Sequence, residues 1–419
     1  MPQAADQVIA RRAGALRELW PLGLAMALSL MGDATLYTVL PTHTAEAGIA
    51  LGAVGVVLSV NRFIRLASNG FAGWLYDRLP DRRRLFLGAL WLGVFSTVIY
   101  ALSPGLPLLL LGRLMWGIAW SGIWVGGNAI VLQMAPPSQR GAWVGIYQLW
   151  FFLGAALGYL LGGTLTDAVG YRTALGLGAG VSAMGALAAA LSLSTRHTHN
   201  RQADASLRPR EMGGERPLWR GLTSISPAMW AAAAAHGVNR LVVAGVLSAT
   251  LGLLVQARVG SSWQGGGWSI GVATVTGGLL AGRTAVSLVG APLAGVLSDR
   301  SGRRWGLLAW SLAAGAMGIG LLALPGWPAL IIGPLIGAAA GGSIQALATT
   351  LIGDLSAGER HGRGLGVLYT LGDLGSAVGP LAAYALLPVA GLPAIYLGCA
   401  ALMLIIAGWA AMMHHQHIA

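Results

Sequence analysis

Seven charged residues lie inside long apolar stretches of this chain, where water solvates them poorly. A carboxylate in such a place can take up and release a proton, whereas an arginine keeps its charge and binds anions. Ionisable side chains at membrane depth are costly and are therefore candidates for a functional role. The seven are Asp33, Arg62, Arg65, Arg113, Arg240, Arg283 and Asp373.

Asp33 and Arg113 form the first candidate pair. Asp33 lies 8 residues before Pro41, the predicted outer end of helix one, and Arg113 lies 6 residues after Pro107, the outer start of helix four. At about 1.5 Å per residue these are depths of about 12 and 9 Å, so the two side chains can meet. The pair suits a proton-exchanging acid with a fixed counter-charge, or alternatively a permanent ion pair that only holds two helices together.

Arg62 and Asp373 form the second candidate pair, at depths of about 17 and 15 Å from the opposite membrane face. This pair is either a gate between two parts of the protein or a static contact. The sequence gives no partner for Arg65, Arg240 and Arg283, while His236 and Asn239 lie on the same predicted helix as Arg240. Five arginines against two acids within these stretches predict a cavity that prefers an anionic or zwitterionic ligand.

The composition excludes a soluble enzyme and a nucleic-acid-binding protein. Of 419 residues, 55% are hydrophobic and only 10% are charged, whereas soluble proteins carry about 25% charged residues. All 26 basic residues are arginine, so the chain has no Walker A sequence, which requires lysine. We therefore predict a polytopic membrane protein with no catalytic residues, no metal site and no cofactor.

Turn residues and arginine clusters divide the chain into twelve apolar segments. Each is long enough for a bilayer, which requires about 20 residues per helix, and each is expected to be a continuous helix because backbone groups in lipid must bond internally. The segments are residues 19–41, 50–73, 84–103, 107–133, 141–165, 171–193, 227–256, 268–295, 304–324, 328–352, 363–388 and 391–413.

The arginines are distributed unevenly about these segments. Nineteen of the 26 fall on one side, two on the other and five within the spans. Because positive residues remain on the cytoplasmic side, both termini are predicted to be cytoplasmic in a multi-pass cell-membrane protein. A polar stretch separates six spans from six, so we expect an N-terminal bundle (1–193), a cytoplasmic linker (194–226) and a C-terminal bundle (227–419).

The loops after the second and eighth spans repeat one pattern, G-x-x-x-D-[RK]-x-G-[RK]-[RK]. The second copy matches at every defined position, with Gly295, Asp299, Arg300, Gly302, Arg303 and Arg304. The first copy matches at Gly73, Asp77, Arg78 and Arg82 and departs at Pro80 and Asp81. With these copies the chain resembles the major facilitator superfamily of transporters over essentially its whole length. The resemblance implies an all-α fold of 12 transmembrane helices in two pseudo-symmetric six-helix bundles, whose two motif loops close the cytoplasmic side in the outward-facing state.

Two further helices carry parts of the family's patterns. Arg113 followed by Gly117 matches the R-x-x-x-G core of its fourth-helix motif, and Tyr159 stands where its fifth-helix antiporter motif has proline. Small residues allow helices to approach closely in membranes. The set predicted to do so is Gly154, Gly158, Gly162 and Gly379, the last followed by Pro380.

The resemblance implies a secondary transporter that works by alternating access. Some drug antiporters of the family carry an acid on helix one and an arginine on helix four, so we predict proton-coupled export of a small amphipathic molecule with Asp33 as the proton-exchanging acid. The expected partners are the lipid bilayer, a small-molecule substrate and a proton or other ion gradient. One alternative is a uniporter or anion exchanger, which needs no titrating acid, and another is a non-transporting assembly factor or sensor on the same fold.

Overall fold

The computed structural model describes residues 2–79, 81–136, 139–193, 226–265, 268–355 and 361–416, and these residues are almost entirely helical. The helices are α1 Pro2–Val39, α2 Ala53–Arg78, α3 Arg82–Leu102, α4 Leu106–Met134, α5 Arg140–Val169, α6 Tyr171–Ser192, α7 Pro227–Val259, α8 Val272–Ser301, α9 Arg304–Leu321, α10 Trp327–Leu355, α11 361–390 and α12 392–416. A sharp turn separates the last two at Gly391, whose φ of 71° favours glycine.

Twelve helices of the described chain cross the membrane. Nine helical runs are long and apolar enough by length and composition, and one of them, Gly364–His414, makes two crossings because it turns back at Gly391. The other two crossings are α2, which is less apolar because it carries Arg62 and Arg65, and α9, which has only 18 residues. The prediction of an all-α protein with 12 transmembrane helices is confirmed.

The start of the eighth span differs from the prediction. Residues 268–271 were expected to open the eighth span, but Trp268–Gly271 is a strand that pairs antiparallel with Ser262–Gly265. The Gly-rich sequence between the strands disfavours a helix, so α8 begins only at Val272. The first helix begins at Pro2, and the part of it that is apolar enough to span a membrane begins at Leu19, as predicted.

Each half of the chain has its own buried core. One core consists mostly of residues from 19 to 193 and the other of residues from 228 to 413. In the first half α1 packs along α5 and α6, and α4 packs along α2 and α3; in the second, α10 packs along α8 and α9, and α11 along α7. This is the arrangement of two pseudo-symmetric six-helix bundles. Residues 194–225 of the predicted linker lie outside the described residues, so the proposed division at 194–226 stays a prediction.

The predicted glycines lie at close contacts between helices. An added Cβ on Gly154, Gly158 or Gly162 of α5 would meet α1, and one on Gly379 of α11 would meet the backbone of α7. The carbonyl of Pro380 lies 2.8 Å from the position of a Cβ on Gly55 of α2. Since α2 and α11 belong to different halves, this contact joins the two bundles.

Among the described residues, the contacts between the two halves lie toward one end of the molecule. After twelve crossings both termini lie at the same end, which we call the terminal end; the opposite end carries the β-hairpin, and we call it the hairpin end. At the hairpin end α5 packs on α8 and α2 on α11. At the terminal end, an added Cβ on Gly73 would approach only Val125 of its own half, and one on Gly295 would meet nothing within 4 Å. The part of the chain that the structure describes is therefore closed at the hairpin end and open at the terminal end.

Candidate functional site

Arg113 of α4 is fully buried and forms an ion pair with Asp33 of α1. Its Nη2 donates to the Tyr37 hydroxyl (2.9 Å), its Nη1 also to the Tyr100 hydroxyl (3.3 Å), and its Nε to the carbonyl of Val57 (3.0 Å). Asp33 has no other hydrogen-bond partner among the described residues, and its side chain is 12% exposed. The pair expected from helix depth is thus in contact in the structure.

The surroundings of Arg113 fix its position independently of Asp33. Its guanidinium carbon lies 5.1 Å from the ring centre of Tyr37 and 5.8 Å from that of Tyr100, within the range of a cation–π contact. Three of its hydrogen bonds go to neutral acceptors, which do not depend on the charge of Asp33. Arg113 can therefore remain in place as a fixed counter-charge when Asp33 is protonated.

Asp373 of α11 pairs with Arg65 of α2, not with Arg62, so the predicted choice of arginine is wrong. The Nη2 of Arg65 lies 3.1 Å from Oδ1 of Asp373, and Asn69 donates weakly to Oδ2 at 3.5 Å. Arg62 instead donates to the backbone carbonyl of Ser376. The two arginines are three residues apart on one face of α2. Arg62 is the one nearer the hairpin end, and it meets α11 almost one turn closer to that end than Arg65 does. Both contacts join the two halves.

Arg283 and Arg240 differ sharply in their surroundings. Arg283 of α8 donates to Ser248 Oγ (3.1 Å) and to the carbonyl of Val243 (3.0 Å), both on α7. Val243 lies in a π-helical segment, Arg240–Leu247, an irregularity that is common at functional sites. The guanidinium of Arg240 has no hydrogen bond or ion pair within the described chain. Asp373 attracts Arg240 electrostatically without an ion-pair contact, so Arg240 is the unpaired cation among the charged residues within the spans.

Two polar side chains next to Arg240 are buried with unpaired atoms. His236 is 3% exposed and its Nδ1 has no partner among the described residues. Asn239 donates from Nδ2 to the carbonyl of Gly341 (3.0 Å), but its Oδ1 accepts no hydrogen bond. Unpaired buried polar atoms are rare, so they mark this side of α7 as a polar surface continuous with Arg240.

Three tyrosines contribute to the cluster and were not anticipated. Tyr37 holds Arg113 by its hydroxyl, and its ring centre lies 5.0 Å from the guanidinium of Arg62. Tyr100 is the second neutral acceptor of Arg113. Tyr159 packs against both cores and interacts electrostatically with Arg283 and Asp33. Only Tyr37 left a signal in the sequence, because it follows Asp33 by one helical turn.

The second copy of the repeated loop is held within its own half. Arg304 forms ion pairs with Asp299 (3.0 Å) and with Asp354 of α10. Gly302 ends α8 in the left-handed conformation, with φ of 65°. Arg300 and Arg303 are exposed, and neither forms an ion pair with a described residue.

The first copy behaves similarly. Arg82 donates to the carbonyl of Tyr76 (3.0 Å) and to Gln133 Oε1 (2.9 Å), and Arg78 stacks on Trp74 at 4.5 Å. Asp77 is exposed and forms no ion pair with a described residue. None of these contacts crosses between the halves, as expected when the terminal end is open. Within the described chain, no three His, Cys, Asp or Glu side chains are grouped to hold a metal ion.

Comparison with known proteins places this geometry in context. The chain is 35% identical over 96 residues to the MFS-type transporter ppzB of Metarhizium rileyi, covering 23% of this chain and 20% of that protein. It is 32% identical over 123 residues to the glucose transporter GlcP of Staphylococcus epidermidis, covering 29% of this chain and 27% of that protein. These alignments span only about a quarter of each relative's length.

A solved structure shares the fold over nearly the whole chain. It is a bacterial homolog of the human lysosomal transporter Spinster in an inward-facing, unoccupied conformation, with a TM-score of 0.75, 16% identity, and coverage of 96% of this chain and 97% of that chain. Both curated relatives are named as transporters. The sequence pattern of the Major Facilitator Superfamily matches residues 22–287 and 273–415, and the chain belongs to that superfamily.

Proposed function

We propose that this transporter exports a small anionic or zwitterionic molecule in exchange for protons, by alternating access across the cell membrane. The excess of arginine at the terminal end supports a cytoplasmic location for both termini. The structure is then the conformer that is open to the cytoplasm, ready to load a substrate for export.

The Asp33–Arg113 pair carries the proposal. Asp33 is the partly accessible member of the pair, whereas Arg113 is fully buried and held by neutral acceptors. A low-dielectric environment favours the protonated acid and a nearby guanidinium favours the carboxylate, so the balance between the two forms is sensitive to what binds beside them. Arginine does not give up its own proton, which leaves Asp33 as the exchanging group.

Exchange requires that the substrate and the proton compete. A zwitterion does so when its cationic group approaches the Asp33 carboxylate while its anionic group binds Arg240, the unpaired cation. The substrate then expels the proton in the cytoplasm-open state, and a proton expels the substrate on the other side. Arg240 interacts electrostatically with Asp373, Arg62 and Arg65, so positive charges outnumber negative ones around it, and this excess supports the anionic half of the description.

The unpaired Arg240 also favours a second candidate function, an anion exchanger in which Asp33 and Arg113 are a permanent ion pair. The two functions differ in what Asp33→Asn does. For proton-coupled export, Asp33→Asn abolishes accumulation driven by a pH gradient in proteoliposomes and retains substrate binding. For an anion exchanger, Asp33→Asn retains the counter-flow of anions, and this counter-flow does not depend on pH.

The deciding measurement is proton movement on substrate binding, in lightly buffered detergent solution. We expect the wild type to release protons and Asp33→Asn to release none. The control is Glu46→Gln, which replaces an exposed acid at the hairpin end and should release protons as the wild type does. Equal proton release by the wild type and Asp33→Asn overturns the proposal. Arg113→Lys is expected to transport poorly, because an ammonium group cannot reach Asp33, Tyr37 and Val57 together.

A further inference from the structure

The ring of Tyr37 is shared by two arginines. The guanidinium carbon of Arg113 lies 5.1 Å from the ring centre, and that of Arg62 lies 5.0 Å from it. Tyr37 is 5% exposed, and its hydroxyl accepts from Arg113 (2.9 Å) and donates to the carbonyl of Leu58 on α2 (3.1 Å). One buried ring thus contacts both the arginine that pairs with Asp33 and an arginine that joins the two halves.

Arg62 is held by neutral groups, which do not cancel its charge. Besides the ring of Tyr37, it contacts the backbone carbonyl of Ser376 on α11, to which it donates. Two arginines of the opposite half, Arg240 of α7 and Arg283 of α8, repel it electrostatically. The contact with Ser376 therefore joins the halves against a repulsion, and further positive charge near Arg62 weakens it.

The charge beside Tyr37 depends on Asp33. An ionised Asp33 neutralises Arg113, whereas a protonated Asp33, or one that binds the cationic group of a zwitterion, leaves one more positive charge beside the ring. The other charged or titratable side chains around Asp33 are Arg113 of α4, Tyr100 of α3, Tyr159 of α5 and, one turn along α1, Tyr37.

The two guanidinium groups are close enough for this change to matter. Their distances from the shared ring place the carbons of Arg62 and Arg113 no more than about 10 Å apart. Unit charges at this separation, with an effective dielectric constant of about 20, shift an equilibrium by about tenfold. Water that enters an open hairpin end screens Arg62, so the repulsion acts mainly on the closed conformer.

We propose that Tyr37 is the positioning residue that couples the charge state of Asp33 to the closure of the hairpin end. A proton or a substrate at Asp33 raises the positive charge beside the ring and so loosens Arg62 from Ser376. The empty carrier stays closed at the hairpin end, while either loaded form opens more readily. An exchanger needs this rule, because an empty carrier that reorients dissipates the gradient. The inference rests on the proposed function and assigns the residue through which its site controls the conformation.

The test measures the opening of the hairpin end with spin labels at Leu51→Cys and Leu324→Cys, in a Cys399→Ser background of the full chain in lipid nanodiscs. The two positions lie at the hairpin end of opposite halves and are 40% and 53% exposed. Distance distributions from double electron–electron resonance give the fraction of open molecules as a function of pH, without substrate. We expect lower pH to shift the otherwise wild-type protein about tenfold toward the open hairpin end, and Asp33→Asn to lose this shift.

Variants of the shared ring separate coupling from structure. Tyr37→Leu removes the π-face from both arginines and leaves room for water, so the shift with pH should fall to about twofold or less, whereas Tyr37→Phe keeps the ring and most of the shift. Arg62→Gln should also lose the shift, because the repelled charge is gone. The comparison variant is Tyr100→Leu, whose ring lies beside Arg113 (5.8 Å) but has no hydrogen bond or cation–π contact with Arg62 in the described chain. It should retain the shift.

Several results overturn the inference. A full shift in Tyr37→Leu or, should that variant fail to insert, in Arg62→Gln shows that the shared ring carries no coupling. An equal loss in Tyr100→Leu shows that any loosening of Arg113 has the same effect. Proton release on substrate binding judges the proposed function separately, and Tyr37→Leu should still release protons because Asp33 and Arg113 remain. If the wild type releases protons but shows no shift beyond that of Asp33→Asn, the coupling is overturned and the proposed export still stands.

Discussion

At the hairpin end the two halves meet through glycines, whereas at the terminal end the residues that border the gap are charged. An added Cβ on Gly163 of α5 would meet the carbonyl of Ala273, and one on Gly277 of α8 would meet the carbonyl of Tyr159. A charged group also contributes between α5 and α8, since the Asp167 carboxylate accepts from the backbone N–H (2.7 Å) and Oγ1 (2.6 Å) of Thr274.

The difference shows how each end can open and close. Backbone contacts through glycine disappear within a small separation, because dispersion forces fall steeply with distance. At the terminal end, Arg304 instead pairs within its own half, with Asp299 and Asp354. Glycine contacts therefore seal the closed hairpin end, whereas the charges at the open terminal end make no described contact across the gap.

The largest effect is expected from breaking the glycine contact. Gly277→Val places a side chain against the carbonyl of Tyr159. This overpacking destabilises the closed hairpin end by about 2 kcal/mol or more, which shifts the equilibrium between the closed and open hairpin end by at least about thirtyfold. Gly278→Val is the matched control, since a Cβ there meets nothing within 4 Å and the intrinsic helix cost is the same. The readout is labelling of Ala273→Cys by a membrane-impermeant maleimide, in a Cys399→Ser background, together with transport.

We expect Gly277→Val to increase labelling and to abolish most transport, while Gly278→Val does neither. Equal labelling in the two variants would show that the contact of Gly277 with Tyr159 does not hold the hairpin end closed. The same reporter serves the remaining comparisons, because Ala273 is fully buried in the closed hairpin end and is exposed only when that end opens.

The next effect is expected at the ion pair that joins α2 to α11. Arg65→Gln leaves Asp373 with only the weak contact of Asn69, and both members of the pair are 17% exposed. The free energy lost on breaking a half-buried ion pair lies between the values for exposed and buried pairs, at about 1.4 kcal/mol. This corresponds to a shift of about tenfold in the equilibrium toward the conformer whose hairpin end is open. In a double-mutant cycle, adding Asp373→Asn to Arg65→Gln should increase labelling no further. Additive effects would show that the two side chains act separately.

A smaller effect is expected at Asp167. Its carboxylate caps the first turn of α8 from the opposite half, so Asp167→Asn removes a charge from a helix N-terminus and weakens two hydrogen bonds. Such caps contribute about 1 kcal/mol, which corresponds to about fivefold more opening. The effect should be largest at low ionic strength and shrink in 1 M salt. Salt-independent labelling would mean that the hydrogen bonds, and not the charge, hold this contact.

The sequence predicted a contact correctly where the depth of two residues in the membrane was enough to match them. Asp33 and Arg113 were matched because each lies a short count from a clear helix end, and the structure joins them. Arg62 and Arg65 could not be separated in this way, because three residues differ by only about 4.5 Å in depth, which is less than the error in a helix end.

Other features left no usable pattern in the sequence. Trp268–Gly271 reads as a continuation of an apolar span, so the β-hairpin was missed. The neutral acceptor Tyr100 looks like any apolar aromatic residue of helix three until its hydroxyl is seen beside Arg113. The π-helical segment Arg240–Leu247 has the composition of an ordinary helix. The sequence therefore supplied the helices, but not their register against one another or the local irregularities at Arg240–Leu247 and Trp268–Gly271.

The smallest effect, and one of opposite sign, is expected at the terminal end. Asp299 is 69% exposed and shares Arg304 with Asp354, so Asp299→Asn costs this conformer little. Its charge is expected to matter in the conformer whose terminal end is closed, where the motif pairs across the gap. Asp299→Asn should therefore reduce labelling of Ala273→Cys and slow transport by about twofold, without weakening substrate binding. Asp81→Asn is the control, because Asp81 only caps α3 and pairs with Arg84. Increased labelling in Asp299→Asn, or transport equal to that of Asp81→Asn at equal expression, would show that this loop plays no part in closing the terminal end.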